Sequence, residues 1–139
     1  SSLIDEDGSD FRFVSINVPN IHRIELQQTL GDERIRKPTA GETYDALCSL
    51  RQMNGRVTRT YVLSHGRGGG HYVSNGQLND EWFVVLDQVI ATAQSLGVRL
   101  IIPFVNTVWV EDWGTTADYA SWARDSEPKQ FFYSAGQRA

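Results

Sequence analysis

Arg59 lies inside the stretch VTRTYV, among residues that favour a strand. An arginine in such a place, if buried, needs an anionic partner or a rich set of acceptors. Asn106 ends an almost continuous apolar run, Leu100 to Val105, and Trp109 and Trp113 follow within the short polar segment TVWVEDWG. The residue types are a fixed cation, an amide able to donate and accept, and two flat apolar ring faces. Asn17, near the end of FRFVSINV, adds a second amide. His65 and His71 flank the glycine loop Gly66 to Gly70, but no cysteine and no helical His pair accompanies them. Decoration of a loop is therefore expected in place of a metal site. GRGGG lacks the Gly-Lys-Ser/Thr ending of a phosphate loop and does not open directly onto a helix, which argues against nucleotide binding. Cys48, beside Ala46 and Leu47, reads as a small buried hydrophobe.

These side chains need elements to carry them. Phe11 to Val18 is rich in β-branched and aromatic residues and stops at Pro19, which predicts a first strand. Asn20 to Lys37 is polar with weak periodicity and predicts a long loop. Thr39 to Glu42, TAGE, has the spacing of a capping box, and the helix it opens carries Ala46, Leu47, Leu50 and Met53 on one face. Asn54-Gly55 stops that helix. Val57 to Ser64 predicts a second strand. Asn79 is placed to cap a long helix with Trp82, Phe83, Leu86, Val89, Ile90, Ala93 and Leu96 in one stripe, ended by Gly97. Leu100 to Val105 predicts a third strand, buried on both faces as parallel strands are. Pro103 removes one ladder donor there, so an edge position or a bulge is expected. A last helix is predicted over Asp118 to Arg124, and the pair Phe131-Phe132 falls in a looser tail.

Strand, helix, strand, helix, strand, helix is the order of parallel βα units in an α/β protein. In such folds ligands bind outside the carboxyl ends of the strands, where Asn17, Arg59, Ser64 and Asn106 gather. Capping of strand ends by these polar residues is the plainer alternative.

The chain has 139 residues, enough for one domain, read as a polar start over residues 1–10 and a single α/β domain over 11–139. A net charge of −4 offers no electrostatic footprint for nucleic acid or for an anionic membrane. No run of eighteen apolar residues is present to span a bilayer. With a single cysteine, no disulfide forms within the chain. SSLIDEDGSD reads as a polar tail of the kind left when a leader is removed.

The succession GRVTRTYVLS, NGQLNDEWFVVLDQVIATAQSLGVRLIIPFVN and WGTTADYASWA resembles the N-terminal part of endo-β-mannanase-like members of glycoside hydrolase family 5. The resemblance covers roughly Phe11 to Ala139. It implies a secreted, fungal-type protein built from the first units of a (β/α)8 TIM barrel and acting on β-linked polysaccharides. It also implies that Arg59 is the active-site arginine hydrogen-bonded to the nucleophilic carboxylate. By the same resemblance Trp109 and Trp113 stand in a loop of the sugar cleft, with Asn106 at its floor. No cofactor and no metal are implied.

A complete barrel takes about 250 residues and eight strands, and three βα units make an incomplete one. A retaining glycosidase needs two carboxyl groups about 5 Å apart. The family's acid/base stands in an Asn-Glu dipeptide, and this sequence contains none. Glu111 and Asp112 are adjacent in sequence and would point to opposite sides if extended. Three readings follow: part of a longer hydrolase, a glycan-binding protein (a lectin) on a part-barrel, or a small α/β module that binds protein. Unpaired sheet edges would favour a homo-oligomer or a complementing chain.

Overall fold

In a computed structural model of the protein, residues 3–25, 35–64, 70–72 and 77–105 are described. Their order is β1 (Ile24–Glu25), β2 (Ile35–Arg36), α1 (Ala40–Gln52), β3 (Val57–Arg59), α2 (Asp80–Ser95) and β4 (Arg99–Ile101).

The capping box forms as read. The Glu42 N–H donates to Thr39 Oγ1 at 3.2 Å, and the Thr39 N–H donates to Glu42 Oε2 at 2.8 Å. From that start, α1 buries Thr43, Leu47 and Leu50, while Met53 points to solvent. The helix ends with Asn54 in the left-handed region at φ +62°. Gly55 then approaches so closely that a Cβ would lie 2.5 Å from Leu50 Cδ1. Asn54 takes the turn and Gly55 permits the packing, two separate reasons for one stop signal.

Asn79 does occupy the position before α2, but its side chain makes no cap bond. Trp82, Val85, Leu86, Val89 and Ala93 are buried, whereas Ile90 at the margin of the stripe is exposed. Gly97 closes the helix at φ +65°, and the Val98 N–H returns to the Ala93 carbonyl at 2.8 Å. Ile21, Leu47, Leu50, Val89, Ala93 and Val98 form the core, with Val18, Leu96 and Leu100 packed against it.

β3 and β4 pair in parallel, with Val57 opposite Arg99, Thr58 opposite Leu100 and Arg59 opposite Ile101. α2 makes the crossover between them, so the expected βαβ unit is present. Hydrogen bonds continue beyond the strands proper, from the Thr60 N–H to the Ile101 carbonyl and from the Leu63 N–H to the Pro103 carbonyl. Between these two bonds three steps of one chain face two of the other, the count of a β-bulge. Among the described residues β4 has no second strand partner. Pro103 lies beside that bulge, where its missing donor is tolerated.

Three expectations change. Phe11 to Val18 is not a regular strand, although its end runs alongside β3. The Val18 N–H donates to the Arg59 carbonyl at 3.1 Å and the Tyr61 N–H to the Pro19 carbonyl at 3.0 Å. Between them Thr58 Oγ1 donates to the Ile16 carbonyl and accepts from the Val18 N–H, and Ser15 Oγ donates to the Val57 carbonyl. Side-chain hydroxyls thus stand where ladder groups would, which breaks strand regularity. Within Asn20 to Lys37, read as loop, β1 and β2 form a short antiparallel pair, Ile24 opposite Arg36. β4 is not buried on both faces either: Ile101 is 46% and Phe104 67% exposed. An apolar run is covered only by what packs on it, and α2 covers one face.

The polar start is tied to this body. Ile4 and Asp10 bridge, and Asp5 pairs with Arg99 at 2.5 Å and with Arg56 at 3.5 Å. The Phe11 ring lies under both guanidiniums, 4.2 Å from Arg99 and 4.9 Å from Arg56. The predicted helix Asp118 to Arg124 and the pair Phe131-Phe132 lie outside the described residues. None of the described helices is long and apolar enough to cross a membrane.

Candidate functional site

Arg56 precedes β3 and Arg99 opens β4, so the Asp5 ion pairs close over the amino ends of these strands. The opposite side is the one that presents polar chemistry. Along β3 and its extension Thr58, Thr60 and Val62 are buried, while Arg59 and Tyr61 are exposed. Alternation of period two thus places Arg59 and Tyr61 on one face, with Ile101 level with Arg59 on the neighbouring strand.

Arg59 is exposed, and among the described residues its guanidinium has no hydrogen-bond or ion-pair partner. Burial therefore does not demand a counter-ion here; the charge is displayed. Because the ladder runs on to Leu63, Arg59 stands partway along the extended segment. Asn17 is exposed on the adjoining segment, between Ile16, held by Thr58 Oγ1, and Val18, held by Arg59. The fold thus brings Asn17 and Arg59 side by side. Asn106, Trp109 and Trp113 lie outside the described residues; Val105, the last before them, continues beyond β4 in the direction in which β3 runs.

Behind this face lies a polar cluster that sequence reasoning missed. His22, Arg23, Thr60, Ser64 and His71 are fully buried. The Ser64 N–H donates to His71 Nδ1 at 3.3 Å, which leaves the ring proton on Nε2. His22 packs edge-on against His71 with ring centroids 5.0 Å apart, and its Nε2–H donates to the Tyr61 carbonyl at 3.1 Å. Burial first, then electrostatic repulsion from neighbouring His22 and Arg23 toward a second positive charge, drives the His71 pKa down to about 3. Burial likewise lowers that of His22, with Arg23 adding to the effect and the Tyr61 bond opposing it. Burial thus favours the neutral form of both rings.

His71 is accordingly a wedge in the interior, packed on Trp82 and Phe83 with centroids 6.0 and 5.4 Å away. The expectation of loop decoration is corrected for His71, because Gly70 lets the chain turn back against Ser64. A Cβ on Gly70 would stand 2.6 Å from the Ser64 carbonyl oxygen. His65 lies outside the described residues. No group of three metal-ligating side chains occurs among those described. Trp82 is buried as expected, and Cys48 is free and half-buried. A usable signal for the cluster was the stretch Ile21-His22-Arg23-Ile24, two polar residues enclosed by apolar ones.

Over 70 residues the chain is 43% identical to mannan endo-1,4-beta-mannosidase 3 of Solanum lycopersicum, a match covering 50% of this chain and 17% of that protein. It is 35% identical over 100 residues to putative mannan endo-1,4-beta-mannosidase 9 of Oryza sativa subsp. japonica, covering 72% of this chain and 23% of the relative. An endo-1,4-beta-mannanase from Rhizomucor miehei superposes with a TM-score of 0.72 at 18% identity, over 99% of this chain and 37% of that one. At that identity the likeness shows the fold alone: βα units of a mannanase-type TIM barrel, with no closed barrel among the described residues. No family model matches the chain.

Proposed function

We propose, from the premise that this chain is a relative of the mannan endo-1,4-β-mannosidases of glycoside hydrolase family 5, that it contributes one wall of a β-mannan-binding groove. The observation that carries the proposal is the displayed Arg59, without a charge partner among the described residues, beside Asn17 on the face away from the Asp5 ion pairs. A guanidinium fits paired oxygens, carboxylate or vicinal hydroxyls, with its rigid fork of donors. Asn17 and Asn106 would bond sugar hydroxyls, and Trp109 and Trp113 would stack on the C–H faces of pyranose rings. The ligand class is β-linked mannose- or glucose-containing glycan, met outside the cell.

Where further barrel strands supply a nucleophilic carboxylate, Arg59 would hold it in its ionised form and the chemistry would be retaining endo-hydrolysis. The present sequence, with no Asn-Glu, is proposed to bind without turnover. Calorimetric titration of the chain with β-1,4-mannohexaose, beside a reducing-end assay on mannan, tests both statements. Saturable binding without new reducing ends is expected, weakened by Arg59→Ala and not rescued by Arg59→Lys. Absence of binding would remove the groove, and turnover by the chain alone would overturn the catalytic part.

A further inference from the structure

We infer that the Thr58 hydroxyl is the positioning group of this groove: from the buried side of β3 it holds the backbone on both sides of Asn17 and so sets that amide beside Arg59. The inference rests on the proposed function and deepens it.

Thr58 is 1% exposed while its neighbour Arg59 is displayed, since successive residues of a strand face opposite ways. Thr58 Oγ1 donates to the Ile16 carbonyl at 2.8 Å and accepts from the Val18 N–H at 3.1 Å. A hydroxyl has one proton to give and lone pairs to receive, so both roles are in use at once. The two backbone groups it holds are the ones that flank Asn17. The Val18 N–H is shared with the Arg59 carbonyl, also at 3.1 Å, which ties the clamp to the residue whose guanidinium it serves.

Ile16 and Asn17 are both exposed, so packing does not fix them, and the segment has no regular ladder to β3. Val18 packs against the core on the far side of Asn17. Position matters here because hydrogen bonds are directional. An amide meets a sugar hydroxyl over about 2.9 Å, near a straight line, and the bond weakens steeply as it bends. An amide held in advance also binds at a lower ordering cost. The core itself does not need the hydroxyl. Valine has the shape of threonine, the Val18 N–H would keep the Arg59 carbonyl, and the exposed Ile16 can turn its carbonyl to water. What the hydroxyl adds beyond packing is the place of Asn17.

Calorimetric titration of the parent, Thr58→Val, Thr58→Ser, Asn17→Ala and the double variant Asn17→Ala with Thr58→Val against β-1,4-mannohexaose tests the inference. Thr58→Val and Asn17→Ala are each expected to bind about fivefold more weakly, the scale of one hydrogen bond between neutral groups. The double variant should be no weaker than Asn17→Ala, because the clamp acts through that amide. Thr58→Ser keeps the hydroxyl and should stay within about twofold of the parent. Unchanged affinity in Thr58→Val, or losses that add in the double variant, would overturn the positioning role and leave the groove standing. Unchanged affinity in Asn17→Ala overturns the contact that Thr58 serves, and the inference with it. No binding by the parent overturns the proposed function and the inference together. Where Thr58→Val does not fold, the side-chain amide resonance of Asn17 decides. On glycan addition it should shift in the parent and in Thr58→Ser; a signal unmoved in either overturns the inference.

Discussion

The backbone N–H of Ser64 donates to Nδ1 of His71 at 3.3 Å, tying the end of the β3 extension to the residue that precedes the α2 region. Protonation of His71 would place a second donor on Nδ1, opposite the Ser64 N–H. The bond favours the neutral ring, in the same direction as the burial that depresses the His71 pKa, and the depressed pKa has consequences for stability.

Because the folded chain refuses the His71 proton until about pH 3, while the unfolded chain accepts it near 6.5, stability is undiminished above that range. It falls as pH drops through the interval, where the unfolded state binds more protons. His22 acts in the same direction. Thermal melts between pH 7 and pH 4 should therefore show a declining midpoint, with a shallower decline in His71→Gln. An identical slope in parent and variant would remove His71 as the source.

Gly55 and Gly97 are required for different reasons, and substitution separates them. Gly97→Ala meets no neighbour but must hold φ +65°, at a cost of about 1–2 kcal/mol. Gly55→Ala forces a Cβ into Leu50, at a cost of about 1–3 kcal/mol. Urea midpoints should show Gly97→Asn recovering most of the first loss, since Asn tolerates the left-handed region. Gly55→Asn should recover none of the second.

Thr39 anchors the start of α1 through its hydroxyl. Thr39→Ala is expected to destabilise the chain by about 1 kcal/mol, and Thr39→Ser to restore most of it. Denaturant titration measures the difference. Equal stability of Ala and parent would show that the Glu42 contacts to Arg36 and to the Thr39 N–H suffice without the hydroxyl.

Trp109→Ala and Trp113→Ala should each weaken mannohexaose binding by about 1–3 kcal/mol if their stacking resembles that of bases on aromatic side chains. Calorimetry of both variants provides the check. Unchanged affinity in the pair would assign the indoles to packing.

Local chemistry was legible in the one-dimensional order. The capping box of α1 is complete within Thr39 to Glu42, and the stripe of α2 repeats within one helix, so neighbours in sequence decided them. The parallel βαβ unit was legible for a related reason, since a long helix between two strands leaves parallel pairing as the short connection. What the tertiary structure alone decided is which groups water reaches. Arg59 is displayed and Arg23 is interior although both are arginines in short segments with apolar residues, and Ile101 and Phe104 are exposed although their run is apolar. His22 meets His71 across 49 positions of chain through the turn that Gly70 allows. Burial is a property of what arrives from elsewhere in the fold, and the spacing of a residue's immediate neighbours does not encode it.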